Sequence, residues 1–142
     1  AGLAAAPEAG VAVVHDAARP LLTRELVERC VEALDQGWDG AVAAARVTDT
    51  IKEAGADGGV VRTLDRSTLW AIQTPQAFRA DVLRRALDVD DAVLATATDD
   101  AALVEVAGGS VRVVEAPAEN LKVTGPADLD RAEALLRRRA RV

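Results

Sequence analysis

The chain has 142 residues, of which 50% are hydrophobic and 28% are charged, and its formal net charge is −6. This length predicts one domain with its own core, and the composition excludes wholesale disorder. The acidic balance argues against nucleic acid or an anionic membrane as the main partner, and no apolar run reaches the roughly 18 residues of a membrane span. One Cys and one His provide neither an internal disulfide nor a structural zinc site. We expect a cytoplasmic protein.

The first third of the chain alternates strand and helix. The apolar run from Val11 to Val14 predicts a buried strand that ends in a polar turn at 15–20. Thr23 predicts the N-cap of a helix with apolar residues at helical spacing, and Gly37 predicts its end. A strand over 40–45 completes a β-α-β unit, which implies parallel strands and a right-handed crossover.

The middle of the chain reads as a hairpin. Two extended segments, 48–53 and 60–64, are joined by the glycine-rich connection 54–59. Neither segment offers many apolar side chains, and a two-stranded ribbon is marginal alone. We therefore expect this hairpin to lean on another part of the protein or on a partner subunit.

The last third returns to alternating helices and strands. The pattern predicts a helix over 80–87, a helix over 99–107 with Thr98 as its N-cap, a strand over 111–115, and a final helix from Pro126 to the Arg137–Arg139 run. Acidic residues at the start of the final helix and arginines at its end both suit the helix dipole.

Three polar segments could carry chemistry. In α/β sheets, ligands bind beyond the carboxyl ends of strands, so the turn after the first strand is the first candidate. It offers Asp16, able to hold a hydroxyl or a metal, and Arg19, able to grip a phosphate with two nitrogens. Its position alone leaves open a structural alternative, in which His15 is a satisfied buried imidazole and Asp16 forms a loop-stabilising ion pair with Arg19.

The second segment is 65–76, where Gln73, Thr74 and Gln76 surround a proline and could bind a polyhydroxy ligand. The alternative is an ordinary turn with Trp70 packed in the core. The third segment, 119–124, carries Lys122, which could neutralise phosphate charge.

Lysine is rare in this chain, which has fifteen arginines and two lysines. The other lysine, Lys52, is expected to be a solvated strand residue.

Five collinear runs identify a family resemblance: VVHDAARP at 13–20, TDTIK at 48–52, DRSTLWAIQTPQAF at 65–78, TDDAALVE at 98–105 and NLKVTGPADL at 120–129. The chain resembles, over almost its whole length, the bacterial-type 2-C-methyl-D-erythritol 4-phosphate cytidylyltransferases. The resemblance implies an α/β, Rossmann-like nucleotidyltransferase fold, with a mostly parallel sheet, helices on both faces and a protruding β-arm at about 46–68 that clasps a second subunit. It also implies transfer of a cytidylyl group from CTP to methylerythritol phosphate with Mg²⁺, by in-line attack and without a covalent intermediate.

The resemblance also implies roles for individual residues. Asp16 and Arg19 would contact methylerythritol phosphate, and Asp16 would lie near the metal. Thr50, Arg66 and Thr74 would reach the acceptor, partly across the dimer. Thr98 would line the acceptor pocket and Lys122 would face the phosphates, so that Lys122, Arg66 and Asp16 are the candidate catalytic residues.

The resemblance departs at the start of the chain. Family members begin with a glycine-rich, Arg- and Lys-bearing loop that cradles the triphosphate, and this sequence, which contains no Met, lacks it. We therefore expect the later part of a single larger domain, inactive by itself.

Two alternatives stay open. One is a cytidylyltransferase for another alditol phosphate, such as ribitol 5-phosphate. The other is a non-catalytic α/β module.

Overall fold

The computed structural model describes residues 2–141 and forms an α/β fold. The strands are β1 Val11–Val14, β2 Gly40–Arg46, β3 Lys52–Ala54, β4 Val60–Thr63, β5 Trp70–Arg79 and β6 Val111–Glu115. The α-helices are α1 Arg24–Asp35, α2 Ala80–Leu87, α3 Asp91–Thr96, α4 Asp100–Val106 and α5 Pro126–Arg139, and two short 3₁₀ turns lie at Leu3–Ala5 and Arg66–Thr68. The sequence therefore predicted most of these elements, but not α3 or β5.

The main sheet has four strands in the order β1-β5-β2-β6. The strand β5 pairs antiparallel with both β1 and β2, whereas β2 pairs parallel with β6. Three strands thus share one direction, as expected for this fold class, and β5 opposes them. The predicted β-α-β unit has its two strands in the same direction, but β5 lies between them.

The interpretation of 65–76 as an ordinary turn is wrong, because Trp70–Arg79 forms the ten-residue strand β5. Pairing with β2 shifts between Val42, opposite Gln76, and Ala44, opposite Ile72. The intervening β5 residues bulge out of the ladder, and Pro75, which has no N–H to donate, lies within that bulge. A proline that looks like a turn signal in the sequence therefore marks a bulge in a central strand.

Helices cover both faces of the sheet. On one face, Ala41 and Ala43 of β2 pack with Leu26, Cys30 and Leu34 of α1. On the other face, Val42 and Phe78 pack with apolar residues of α2 and α4: Val82, Leu83, Ala86, Ala101, Leu103 and Val104. Alternating side chains of one strand thus enter two different cores, as the two-residue repeat of a strand requires.

The helix termini agree with the sequence signals except at one position. Thr23 caps α1 by accepting a hydrogen bond from the Leu26 N–H, as predicted. The N-cap of α4 is Asp99, whose carboxylate accepts from the Ala102 N–H, so the prediction of Thr98 as this cap is wrong. A carboxylate one residue further on takes the capping role and leaves the Thr98 side chain exposed.

The predicted hairpin is present, with shorter strands than the sequence suggested. β3 and β4 pair only with each other, and every residue of both strands is exposed. Lys52 is a solvated strand residue, as predicted, and donates to the Thr63 hydroxyl at 2.6 Å. No helix within the described residues is both long and apolar enough to cross a membrane.

Candidate functional site

Four segments meet at one end of the sheet and enclose a cleft of about 360 Å³. They are the turn after β1, the bulged part of β5, the connection between α3 and α4, and the loop between β6 and α5. The residues lining the cleft are Asp16, Arg19, Ile72, Gln73, Thr74, Gln76, Thr98, Asp99 and Lys122. The structure therefore brings together five of the seven predicted site residues, from segments that lie up to more than a hundred residues apart.

Asp16 and Lys122 form an ion pair in this cleft. The Lys122 Nζ lies 2.9 Å from Asp16 Oδ2, and the other carboxylate oxygen accepts from the Ala18 N–H at 3.0 Å. The hydrogen bond from Lys122, followed by that from Ala18, lowers the pKa of Asp16 below its ordinary value. The structural alternative that paired Asp16 with Arg19 is wrong, because the charge partner of Asp16 is a lysine more than a hundred residues away.

Arg19 is fixed at one end by the backbone. Its Nη1 donates to the Asn120 carbonyl oxygen at 2.8 Å, and its Nε is buried without a hydrogen-bond partner among the described residues. Burial lowers the pKa of Arg19, although Asp16 nearby opposes that effect. A guanidinium with one nitrogen fixed to a carbonyl keeps other donors for an anion in the cleft.

A short chain of hydrogen bonds holds the turn after β1. The Asp16 N–H donates to Thr74 Oγ1 (2.9 Å), which lies 3.1 Å from His15 Nδ1, and His15 Nε2 lies 3.1 Å from the Arg19 carbonyl oxygen. Because a carbonyl can only accept, Nε2 carries the proton, and Nδ1 then accepts from the Thr74 hydroxyl. His15 is half-buried with both ring nitrogens engaged, close to what the structural alternative expected of it.

Sequence reasoning missed the residue that links these segments, Asn120. It is 1% exposed, and its side-chain nitrogen donates to Gln73 Oε1 (2.8 Å) and to the Thr74 carbonyl oxygen (2.9 Å). Gln76, also buried, donates to the Asp99 carboxylate that caps α4. No helical or strand periodicity covers position 120, so the sequence held no signal of its burial.

Thr50 and Arg66 lie outside the cleft. Arg66 is exposed near the base of the hairpin, where its Nη1 donates to the Thr48 carbonyl oxygen at 2.6 Å, and Thr50 is also exposed. A single copy of the chain does not bring these two residues to Asp16. Their predicted action across a dimer stays a prediction.

The donor set for a metal is small. The residues that the structure describes contain no group of three or more His, Cys, Asp or Glu side chains able to hold a metal ion. Mg²⁺, however, commonly takes one or two carboxylates and completes its shell with phosphate oxygens and water. Asp16, whose two oxygens each keep a further lone pair, fits that pattern.

Comparison with known proteins gives one consistent result. The profile of the family IspD, 2-C-methyl-D-erythritol 4-phosphate cytidylyltransferase, matches residues 1–138. The proteins of that name from Rubrobacter xylanophilus and Pelotomaculum thermopropionicum are 50% and 47% identical to this chain, over 92% and 96% of its length but only 56% and 57% of theirs.

Solved structures agree. The crystal structure of 2-C-methyl-D-erythritol 4-phosphate cytidylyltransferase from Thermus thermophilus is 39% identical, with a TM-score of 0.80 over 95% of this chain and 65% of that one. The 4-diphosphocytidyl-2C-methyl-D-erythritol synthase from Anaerococcus prevotii is 31% identical, with a TM-score of 0.84 over 96% and 63%. The chain thus spans somewhat more than half the length of the proteins it is similar to.

Proposed function

This chain belongs to the 2-C-methyl-D-erythritol 4-phosphate cytidylyltransferase family, and we propose that it forms the acceptor-binding part of such an enzyme. The reaction transfers a cytidylyl group from CTP to 2-C-methyl-D-erythritol 4-phosphate, giving 4-diphosphocytidyl-2-C-methyl-D-erythritol and pyrophosphate. The observation that supports this best is the cleft where Arg19 and the Asp16–Lys122 pair lie beside Thr74 and Thr98. Two cations suit a phosphate, and the hydroxyls and amides around them suit an alditol.

Each of these residues then has a role in positioning and charge stabilisation. Arg19, anchored to the Asn120 carbonyl, holds the acceptor phosphate so that its oxygen attacks the α-phosphorus of CTP in line. Lys122 is about half-exposed in its pair with Asp16, so it can also reach the phosphate oxygens, where charge develops in the transition state. No covalent intermediate on the protein is needed.

Mg²⁺ is part of the proposal. Asp16 would hold it together with phosphate oxygens, and the ion would neutralise charge on the reacting phosphates. The hydrogen bond from Lys122 lowers the pKa of Asp16, so its carboxylate stays ionised, the form that binds a metal, to a more acidic pH.

The triphosphate of CTP carries more negative charge than Arg19 and Lys122 can neutralise. We therefore propose that cations in the remaining length of the family's proteins hold it, and that these 142 residues alone are inactive. Calorimetry should find weak CTP binding by the chain alone and tight binding by the full-length protein. Tight binding by the chain alone would contradict this part of the proposal.

The test of the proposed function is pyrophosphate release by the full-length protein with CTP and either methylerythritol phosphate or ribitol 5-phosphate. Methylerythritol phosphate should be the better acceptor. A matched pair of variants removes one cation each: Lys122→Ala should lose activity by several orders of magnitude, whereas Arg24→Ala, at an exposed position on α1 where the arginine pairs with Glu28, should keep it. Full activity in Lys122→Ala would favour a non-catalytic module, and a preference for ribitol 5-phosphate would favour the related enzyme.

The hairpin β3–β4 is proposed as the arm of a homodimer. Its Val60 and Val61 are 63% and 67% exposed, so the hairpin carries apolar surface that a second copy would cover. Val61→Asp should shift the protein from dimer to monomer in analytical ultracentrifugation. Val106→Asp, at an 80% exposed position on α4, is the matched control and should leave the dimer intact.

A shared site across this dimer has its own test. Arg66→Ala should depress use of the acceptor, and mixed dimers of Arg66→Ala and Asp16→Ala subunits should recover part of the activity. Absence of recovery would place Arg66 outside the neighbouring subunit's site.

A further inference from the structure

Asn120 is a fully buried polar residue at the junction of three of the four segments that form the cleft. Its amide nitrogen donates twice to β5, to Gln73 Oε1 and to the Thr74 carbonyl oxygen. The backbone carbonyl oxygen of Asn120 accepts a hydrogen bond from Arg19 Nη1. One residue therefore joins the loop after β6, the bulge of β5 and the turn after β1.

Burying the side-chain amide of Asn120 costs free energy, which its hydrogen bonds offset only in part. Asn120 Oδ1 is buried with no partner among the described residues, and an unsatisfied buried acceptor destabilises a fold. The two donations to β5 are what an asparagine supplies and an aspartate, with no donor when ionised, does not. The side-chain nitrogen of Asn120 thus donates two hydrogen bonds, while its side-chain oxygen accepts none from the described residues.

The consequence of these bonds is the position of the cleft cations. Lys122 follows Asn120 by two residues, and the next residue, Val123, donates its N–H to the Ala18 carbonyl oxygen at 2.8 Å. Arg19 is attached directly to the Asn120 backbone. If the side-chain amide of Asn120 no longer bonds to β5, the loop that carries Lys122 is no longer held against that strand. The backbone carbonyl that holds Arg19 belongs to the same loop, so both cations would move together.

We propose that Asn120 is a positioning residue that sets the places of Arg19 and Lys122 in the cleft through its two hydrogen bonds to β5. This inference rests on the proposed function for its catalytic consequence, though not for its structural one. Asn120 is 1% exposed and does not line the cleft, whereas Gln73 and Thr74, to which its amide donates, do.

The experiment uses Asn120→Ala and Asn120→Asp in the full-length protein. Both remove the donations to β5 while keeping the backbone carbonyl, and the aspartate also keeps the volume of the side chain. The matched control is Leu83→Ala, a buried residue of α2 on the other side of the core, which lowers stability without touching the cleft. Three quantities are measured: the melting temperature, the exchange rate of the Val123 amide hydrogen, and KM for each substrate.

We expect both Asn120 variants to raise KM for methylerythritol phosphate by about tenfold or more, with KM for CTP changed by less than about threefold. Amide exchange at Val123 should accelerate by about tenfold or more in both variants, relative to the global change in exchange. Leu83→Ala should lower the melting temperature while both KM values and the relative exchange of Val123 stay normal. A loss confined to stability cannot produce this split.

The inference is overturned if both Asn120 variants fold and keep the wild-type acceptor KM and the wild-type exchange at Val123. If neither variant folds, Gln73→Ala is used instead, since it removes one acceptor of the Asn120 amide at a half-buried position. Faster exchange of the Val123 amide in that variant would support the inference, and unchanged exchange would contradict it. If the wild-type protein releases no pyrophosphate, the proposed function fails, but Val123 exchange still decides whether Asn120 holds the loop.

Discussion

The conservative substitution Arg19→Lys should separate charge from geometry in the cleft. One guanidinium nitrogen of Arg19 is committed to the Asn120 carbonyl oxygen at 2.8 Å, and the proposed phosphate needs another. An ammonium is a compact point charge that cannot span both partners, so the variant keeps the charge and loses one charge-assisted hydrogen bond. Such a bond contributes about 1.5–3 kcal/mol. At about 1.4 kcal/mol per factor of ten, kcat/KM for the acceptor should fall about 10- to 100-fold.

The assay is steady-state pyrophosphate release, with the acceptor varied at saturating CTP and then CTP varied at saturating acceptor. Arg19→Ala should lower kcat/KM for the acceptor further, because it also removes the positive charge. It also leaves the buried backbone carbonyl of Asn120 without its donor, which should lower the free energy of unfolding by about 1–3 kcal/mol. Arg24→Lys is the matched control, since Arg24 is exposed on α1 and pairs with Glu28. Wild-type kcat/KM in Arg19→Lys, or a loss expressed only in KM for CTP, would refute the assignment of Arg19 to the acceptor phosphate.

Three further predictions concern the fold. Gly40→Ala should lower the free energy of unfolding by about 1–3 kcal/mol in urea titrations, because its Cβ would lie 2.6 Å from Cδ1 of the fully buried Phe78; an unchanged midpoint would contradict this packing. Hydrogen bonds from Thr124 and Gly125 lower the pKa of Asp128, so its stabilisation is present above its ordinary value of 3.8 and is lost as pH falls through the lowered folded pKa. The melting-temperature gap between wild type and Asp128→Asn should therefore close below about pH 3.8, and a gap that widens there would be the wrong sign. Burial raises the pKa of Cys30 to about 11, so the native protein should resist thiol reagents at about pH 8 and react only on unfolding.

The sequence predicted those elements whose signals are local. α1 carries a Thr cap and a regular apolar face, and α5 opens with a proline and ends in arginines; both lie close to their predicted bounds. The strand β5 was not predicted because its position depends on long-range pairing with β1 and β2. Its bulge also contains a proline, which the local sequence pattern interprets as a turn. The predicted N-cap of α4 was wrong by one residue, because Thr98 and Asp99 are both favourable N-cap residues and the sequence alone does not distinguish between them.

The candidate site divides in the same way. Asp16, Arg19 and Lys122 were identified by residue type, position at strand ends and the family's motifs, and the fold brings them together. The ion pair of Asp16 with Lys122, rather than with the nearby Arg19, depends on a contact between residues more than a hundred positions apart, which no local pattern reveals. Asn120 escaped notice for the same reason, since its role comes entirely from the segments that pack around it. Thr50 and Arg66 do not line the cleft, and their action across a dimer stays a prediction.

The most direct test of the proposed function is a crystal structure of the full-length protein with 2-C-methyl-D-erythritol 4-phosphate bound. The phosphate should lie within hydrogen-bonding distance of Arg19 and Lys122, with the hydroxyl groups of the acceptor toward Thr74 and Thr98. The competing position is the polar groove of about 440 Å³ between α1 and the end of β6, where Arg29 is the basic residue. Acceptor phosphate found in that groove, with the cleft around Asp16 and Lys122 empty, would contradict the proposed acceptor site.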